Sequence, residues 1–280
     1  MDNSVDVIKK IRKNIFLTAY SGGIGHLGSA YSLVEILYVL YVKKLMKFDA
    51  ANPDWEERDR LILSKGHGSL ALYNVMSLCG FLPEEELWTF CQPGSRLGGE
   101  PNLLELPGIE ASTGSLGHGL SIGIGMALAL KSDKKKNRVF VIVGDGECEE
   151  GSIWEAVMSA SANQLDNITV IIDNNRIQKM GFVKDVMGIV SWESRFASFG
   201  WEVKEVDGHN IDDIQSKINS EWTEGKPRLL IANTIKGKGI SIMENNPAWH
   251  WKMPNKRELK IVMSELGISW EELEACKKHI

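Results

Sequence analysis

Asp145 stands between Gly144 and Gly146, and after a further 27 residues the chain reads Asn174-Asn175. Each motif closes an apolar run, Val139–Val143 before the first and Ile168–Ile172 before the second, with a helical pattern between them. In a strand–helix–strand unit both strand ends open at one edge of a parallel sheet, where such folds bind ligands. A carboxylate and an amide carbonyl held there are hard oxygen donors, suited to a magnesium ion shared with a diphosphate. The flanking glycines let backbone come close to such a ligand. A lone GDG also marks an ordinary turn whose aspartate caps a helix. The second motif, at the distance one crossover helix spans, turns the pattern toward a binding site.

Three of the six histidines add proton chemistry, because imidazole titrates near neutral pH. His26 lies in SGGIGHLGS, among glycines that build little core. His67 lies between two glycines after the apolar run Leu61–Leu63, where a strand end would bring a neutral or cationic ring near a bound anion. His250 lies between Trp249 and Trp251, and a packed structural role is an equal alternative on the residues alone. His118 and His209, the latter in VDGHN, sit in turn-like surroundings and are not assigned to the site. Glu150 reads as a cap for the helix that starts near Ser152.

Alternating strands and helices must position these groups. Further strands are expected over Trp201–Val206 and Leu229–Ile235, with a helix from Ile211 to about Glu221 between them. The pattern predicts an α/β fold with a parallel sheet flanked by helices. Helical segments over residues 5–20 and 32–46 precede it, separated by the glycine-rich turn Ser21–Ser29. A loop rich in glycine and proline covers about 91–108, and Thr113–Ser121 opens a small-residue helix. Residues 256–280 read as two short helices about Gly267. No linker divides the chain, so residues 1–280 are expected to form a single domain.

With 280 residues, 43% of them hydrophobic, the chain can bury a substantial core. A net charge of −5 and the lack of a basic, aromatic-laced block argue against nucleic acid. Ile15–Ala19 is too short for a signal peptide and Leu33–Val42 too short for a membrane span. The four cysteines lack CxxC spacing, which argues against zinc or a disulfide framework, and a cytoplasmic setting is expected.

GHLGS (Gly25–Ser29), RDRLILSKGHGS (Arg58–Ser69), PGSRLGGEP (Pro93–Pro101), TGSLGHGLSIGIGMAL (Thr113–Leu128), the GDG…NN unit, KGKG (Lys236–Gly239) and ENNPAWH (Glu244–His250) follow one another in order. GDG…NN resembles the thiamine-diphosphate motif, and the ordered set resembles the N-terminal subunit of a split transketolase over about Ser21–Trp251. The resemblance implies the thiamine-diphosphate-binding fold. It implies Mg²⁺ on Asp145, Asn175 and the Ile177 carbonyl, with Gly146 and Asn175 at the cofactor diphosphate. It puts the Gly114–Ser115–Leu116 backbone at the aminopyrimidine, His67 and His250 near diphosphate and substrate, and His26 before the donor sugar. His26, His67 and His250 are thus the expected catalytic residues.

In that family a two-carbon ketol unit passes from a ketose to an aldehyde, with the cofactor as electron sink. The resemblance further implies a partner, a C-terminal subunit whose pyrimidine-binding domain supplies an activating glutamate, in a two-plus-two heterotetramer acting on sugars or sugar phosphates. Two positions depart from the family pattern. Glu100 occupies the place of a substrate-facing histidine, and Ile24 that of a small polar residue. The competing readings are the α subunit of a 2-oxo acid dehydrogenase, a non-catalytic subunit that keeps the fold, and a nicotinamide-binding domain. SKGHGS and PAWH oppose the first, intact Asp145 and Asn175 the second, and the missing GxGxxG the third.

Overall fold

The computed structural model describes residues 4–188 and 191–277; the last three residues of the expected tail lie outside the described residues. Helices α1 (Ser4–Gly22), α2 (Leu27–Tyr31) and α3 (Val34–Leu37) lead through a π-turn at Tyr38–Val42 to strand β1 (Arg60–Leu63). Next come α4 (Ser69–Leu78), α5 (His118–Ser132), β2 (Val139–Gly144), α6 (Gly151–Ala162) and β3 (Ile168–Asn174). A hairpin of β4 (Ile177–Gln178) and β5 (Gly181–Phe182) passes to α7 (Val183–Val186), α8 (Trp192–Ser198), β6 (Glu202–Asp207), α9 (Ile211–Asn219) and β7 (Arg228–Asn233). Helices α10 (Lys256–Leu266) and α11 (Trp270–Ala275) follow.

Five strands form one parallel sheet in the order β1-β2-β3-β7-β6. Successive side chains of a strand point to opposite faces, so a sheet covered on both sides needs continuous apolar runs. Phe140, Ile142, Ile171 and Leu230 pack on one face with α1–α4, α9 and α10, while Val139, Val141, Val170 and Leu229 pack on the other with α5, α6 and α8. Register pairs Gly144 with Asp173 and Asn174 with Asn233, which levels the carboxyl ends of β2, β3 and β7. Strand order runs outward from β1 to β3 and then returns from the edge strand β6 to β7. The reversal therefore falls between β3 and β7, where open α/β sheets leave a crevice.

The expected helix over 32–46 breaks into the end of α2, α3 and the π-turn. Every residue from Leu27 to Tyr41 is buried, so packing from all sides sets the backbone there. The small-residue helix starts at His118 rather than Thr113, because Gly117 is left-handed (φ 85°) and cannot continue it. A side chain at Gly117 would also meet Ser152 Oγ at 2.5 Å. Two tail helices hinge on a left-handed Gly267, as expected, and each begins with a capping box. Among the described residues no helix is long and apolar enough to cross a membrane.

Candidate active site

A cleft of about 420 Å³ opens at the carboxyl ends of β2, β3 and β7. Apart from Ser115, whose hydroxyl turns to His118 Nδ1 at 3.4 Å, every residue expected in the site lines it. A larger depression of about 620 Å³ lies on the far side of Asn174–Arg176, but the histidines and buried lysines are absent from its walls. The smaller cleft is therefore the candidate site.

Residues 26, 67 and 250 come from three separate segments and meet as a triangle. Ring centroids lie 5.1 Å apart for His26 and His67, 5.3 Å for His26 and His250, and 5.8 Å for His67 and His250. Half-exposed Trp251 stands edge-on to His26 at 4.2 Å. Burial first, then nearby lysine charge, holds all three rings neutral: His26 is lowered to about 4, His250 to about 3 and His67 well below its ordinary value. The cationic alternative for His67 is thereby set aside. His250 Nδ1 accepts from Lys236 Nζ at 3.1 Å, which leaves its proton on Nε2.

These shifts carry a sign for stability. A histidine lowered on folding stabilises the folded chain above pH ~6.5, and that contribution is lost as pH falls toward the folded value. Melting temperature is thus expected to drop between pH 6.5 and about 4, the value to which His26 is lowered. Asp145, pushed up from 3.8 to about 7, acts in the opposite sense over the whole of that window, so variants must separate the two. A His26→Gln, His250→Asn double variant should lose less melting temperature than wild type between those limits. Equal slopes would refute the neutral triangle.

Asp145 is buried at the tip of β2. Its Oδ1 accepts from the Gly146 amide at 2.8 Å and its Oδ2 accepts from the Arg176 amide. Burial and then the Asp173 charge raise it to about 7, which leaves a carboxylate short of positive charge. Asn175 Oδ1 accepts from Ile177 N at 3.1 Å, and the Ile177 carbonyl accepts from Lys236 Nζ at 2.9 Å. Among the described residues no three His, Cys, Asp or Glu side chains gather as a metal cluster; the expected set holds one carboxylate, one amide and one carbonyl.

Sequence reasoning missed four groups around this set. Asp173, fully buried in β3, is ion-paired with Lys65 and accepts from Ser32 Oγ at 2.6 Å and from Thr234. Those partners outweigh burial and keep it below the usual carboxylate range. Lys236, buried in the KGKG loop, is lowered to about 8, first by burial and then by Lys65. Glu147, also buried, accepts from the amides of Gly117 (2.9 Å) and Gly144 (3.0 Å) and from Ser64. It ties the turn after β2 to the loop before α5. The two lysines did carry a linear signal, a lysine beside glycine just after a strand, in SKGHGS and KGKG.

Three further positions complete the walls. Ser29 Oγ is buried, lines the cleft and has no hydrogen-bond partner among the described residues. Glu150 occupies the N-cap position of α6, as expected, but its side chain makes no capping hydrogen bond; its stem packs by Gly117. Glu100 lines the cleft, with its stem lying over Gly114, where an added Cβ would stand 2.7 Å from Glu100 Cγ. Ile24 packs against the core.

Residues 4–278 match the family described as transketolase, thiamine diphosphate binding domain. The chain belongs to the transketolase family. It is 42% identical over 245 residues to a 6-deoxy-6-sulfo-D-fructose transketolase subunit of Clostridium sp. (strain MSTE9), covering 87% of this chain and 89% of that one. It is 41% identical over 267 residues to an apulose-4-phosphate transketolase subunit of Phocaeicola vulgatus, covering 95% and 94%. Among solved structures, Campylobacter jejuni transketolase superposes with a TM-score of 0.85 at 29% identity, covering 98% of this chain and 46% of that chain. A Pichia stipitis transketolase complex with sedoheptulose-7-phosphate gives 0.83 at 28%, covering 98% and 44%. This transketolase-family chain thus spans less than half of those solved chains and most of the two curated relatives. The matches favour the transketolase reading over a 2-oxo acid dehydrogenase α subunit.

Proposed function

We propose that the chain is the thiamine-diphosphate-binding subunit of a two-component transketolase. It moves a two-carbon ketol unit from a ketose to an aldose together with a partner subunit. One observation carries the reading: Asp145, Asn175, Ile177 and the histidine triangle share one cleft at the sheet's reversal point. Its residues fit the cofactor. Ser29 Oγ is a buried donor and acceptor awaiting a partner, and Asp145 is a buried anion awaiting a cation. Mg²⁺ would rest on Asp145, Asn175 and the Ile177 carbonyl. Gly146, Asn175, His67 and His250 would hold the diphosphate, and the Gly114–Leu116 backbone the aminopyrimidine.

When bound, thiamine diphosphate supplies the electron sink for cleaving and forming the carbon–carbon bond. The protein's own residues do the rest. Neutral His26 and His67 can each accept a proton from a substrate hydroxyl without first having to shed one, and return it afterwards. Lys236 fixes the His250 tautomer, so that Nε2–H is the donor offered from that ring. Burial around Asp173 and Lys65 keeps water from the floor of the cleft.

The partner is a subunit bearing the pyrimidine-binding domain and the activating glutamate, in a two-plus-two assembly. A cytoplasmic setting and one domain over residues 1–280 complete the reading. Glu100 is the position at which the substrate differs from the family's usual ketose phosphates. An anion on that wall opposes a nearby phosphate and offers no donor. Glu100→His, assayed with the partner present, is expected to raise catalytic efficiency on a ketose phosphate about tenfold relative to an uncharged ketose. An unchanged ratio would remove Glu100 from substrate recognition.

A further inference from the structure

His209 lies in a turn, as VDGHN suggests, and its amide makes that turn by donating to Asp207 Oδ1 at 2.9 Å. Its side chain does something else. His209 Nε2 accepts from the Ile235 amide at 2.8 Å, so the ring is the Nδ1–H tautomer, and Nδ1 donates to Glu35 Oε2 at 2.9 Å. Glu35 is buried in α3 and takes Arg12 Nη2 from α1 at 2.8 and 3.0 Å on its two oxygens. Arg12 in turn donates through Nε to the Lys238 carbonyl at 3.0 Å.

Both outer ends of this network grip one loop, at Ile235 and Lys238, on either side of Lys236. Within the loop, Lys238 N donates to the Ile235 carbonyl at 3.2 Å and the Lys236 carbonyl accepts from Asn245 N at 3.0 Å, so the clamp adds the ties to α1 and α3. Gly237 and Gly239 are left-handed (φ 79° and 94°), and an added Cβ at Gly239 would stand 2.9 Å from Arg12 Cδ. The Lys236 stem lies over Gly28, whose carbonyl accepts from Gly237 N at 3.0 Å.

We infer that Glu35, His209 and Arg12 form a buried clamp that fixes residues 235–238 and so sets the Lys236 ammonium on the Ile177 carbonyl and His250 Nδ1. His209 is then a positioning residue for the cofactor cleft, acting from outside it through backbone. The inference rests on the proposed cofactor site, and the two can fail separately.

Two substitutions each keep one half of the imidazole. His209→Gln can still accept from the Ile235 amide but loses the short-range donor to Glu35. His209→Asn can still donate to Glu35 but leaves the part-buried Ile235 amide unpaired. In both, three quantities are measured on the full chain: melting temperature, amide exchange over residues 234–239, and affinity for thiamine diphosphate with MgCl₂ in the assembled complex. The clamp predicts that both variants speed exchange in that segment and weaken affinity, Asn by about tenfold, as expected for one unpaired part-buried amide, and Gln by less, because the Ile235 amide keeps its acceptor. If the two variants lose melting temperature while exchange over residues 234–239 and affinity stay at wild type, His209 is merely structural. If neither changes exchange or affinity, the clamp does not position Lys236. Asp145→Asn serves as the reference: unchanged affinity there would remove the cofactor reading itself, whatever His209 does.

Discussion

Replacing Asp145 by alanine is expected to abolish thiamine diphosphate binding in the presence of Mg²⁺. The loss should be about a hundredfold or more in affinity, larger than that from any residue that only supports the ligands. The side chain is buried, its two oxygens already take the Gly146 and Arg176 amides, and its charge is opposed by burial and by Asp173. A divalent cation is the group that would relieve this carboxylate. Asp145→Asn isolates charge from shape, since it keeps the volume and removes the anion. The sign of its stability effect follows from the direction of the shift. A carboxyl raised from 3.8 to about 7 destabilises the ligand-free fold increasingly as pH rises through that window, and fully above it. The melting temperature of Asp145→Asn relative to wild type should therefore rise as pH goes from about 4 to 7, while the variant binds far less cofactor. Calorimetry on the complex checks the binding and a thermal melt the stability. Wild-type affinity in Asp145→Asn would contradict the metal assignment.

Much of this site was legible because its parts are consecutive. β2, a turn glycine pair and a crossover helix place Asp145 beside Asn175 through strand spacing alone, and the sheet register agrees with that juxtaposition. His26 and His67 stood out because glycines around them leave little structural reason for an imidazole. What was not legible depends on partners far away in the chain. Asp173 reads as the last acid of an apolar strand, yet its counter-ion Lys65 lies 108 residues away. Glu147 gives no periodic signal, and its donors come from Ser64, Gly117 and Gly144. His209 is 174 residues from Glu35, so only its local turn could be read. Residues 32–46 failed for another reason: a segment buried on all sides has no apolar stripe from which to read a helix's phase or its breaks.

The second large effect concerns assembly. The Clostridium and Phocaeicola relatives match this chain almost end to end, whereas it spans 46% of the Campylobacter transketolase and 44% of the Pichia one. Glu100 and half-exposed Trp251 stand near the histidines with one side open to solvent. A partner bringing a pyrimidine-binding domain would close that side and add the carboxylate that activates the cofactor. A missing acid–base group commonly lowers turnover by a factor of about 10²–10⁴, and an unclosed site loses more to water. Purified alone, the chain is expected to show no ketol transfer above background.

The most direct measurement is ketol transfer from a ketose to an aldose by this chain, by its co-purifying partner, and by their mixture, each with thiamine diphosphate and MgCl₂. Silence from either alone, and activity that saturates at equal amounts of the two, is the predicted result. Turnover by this chain alone at the rate of the mixture would contradict the account.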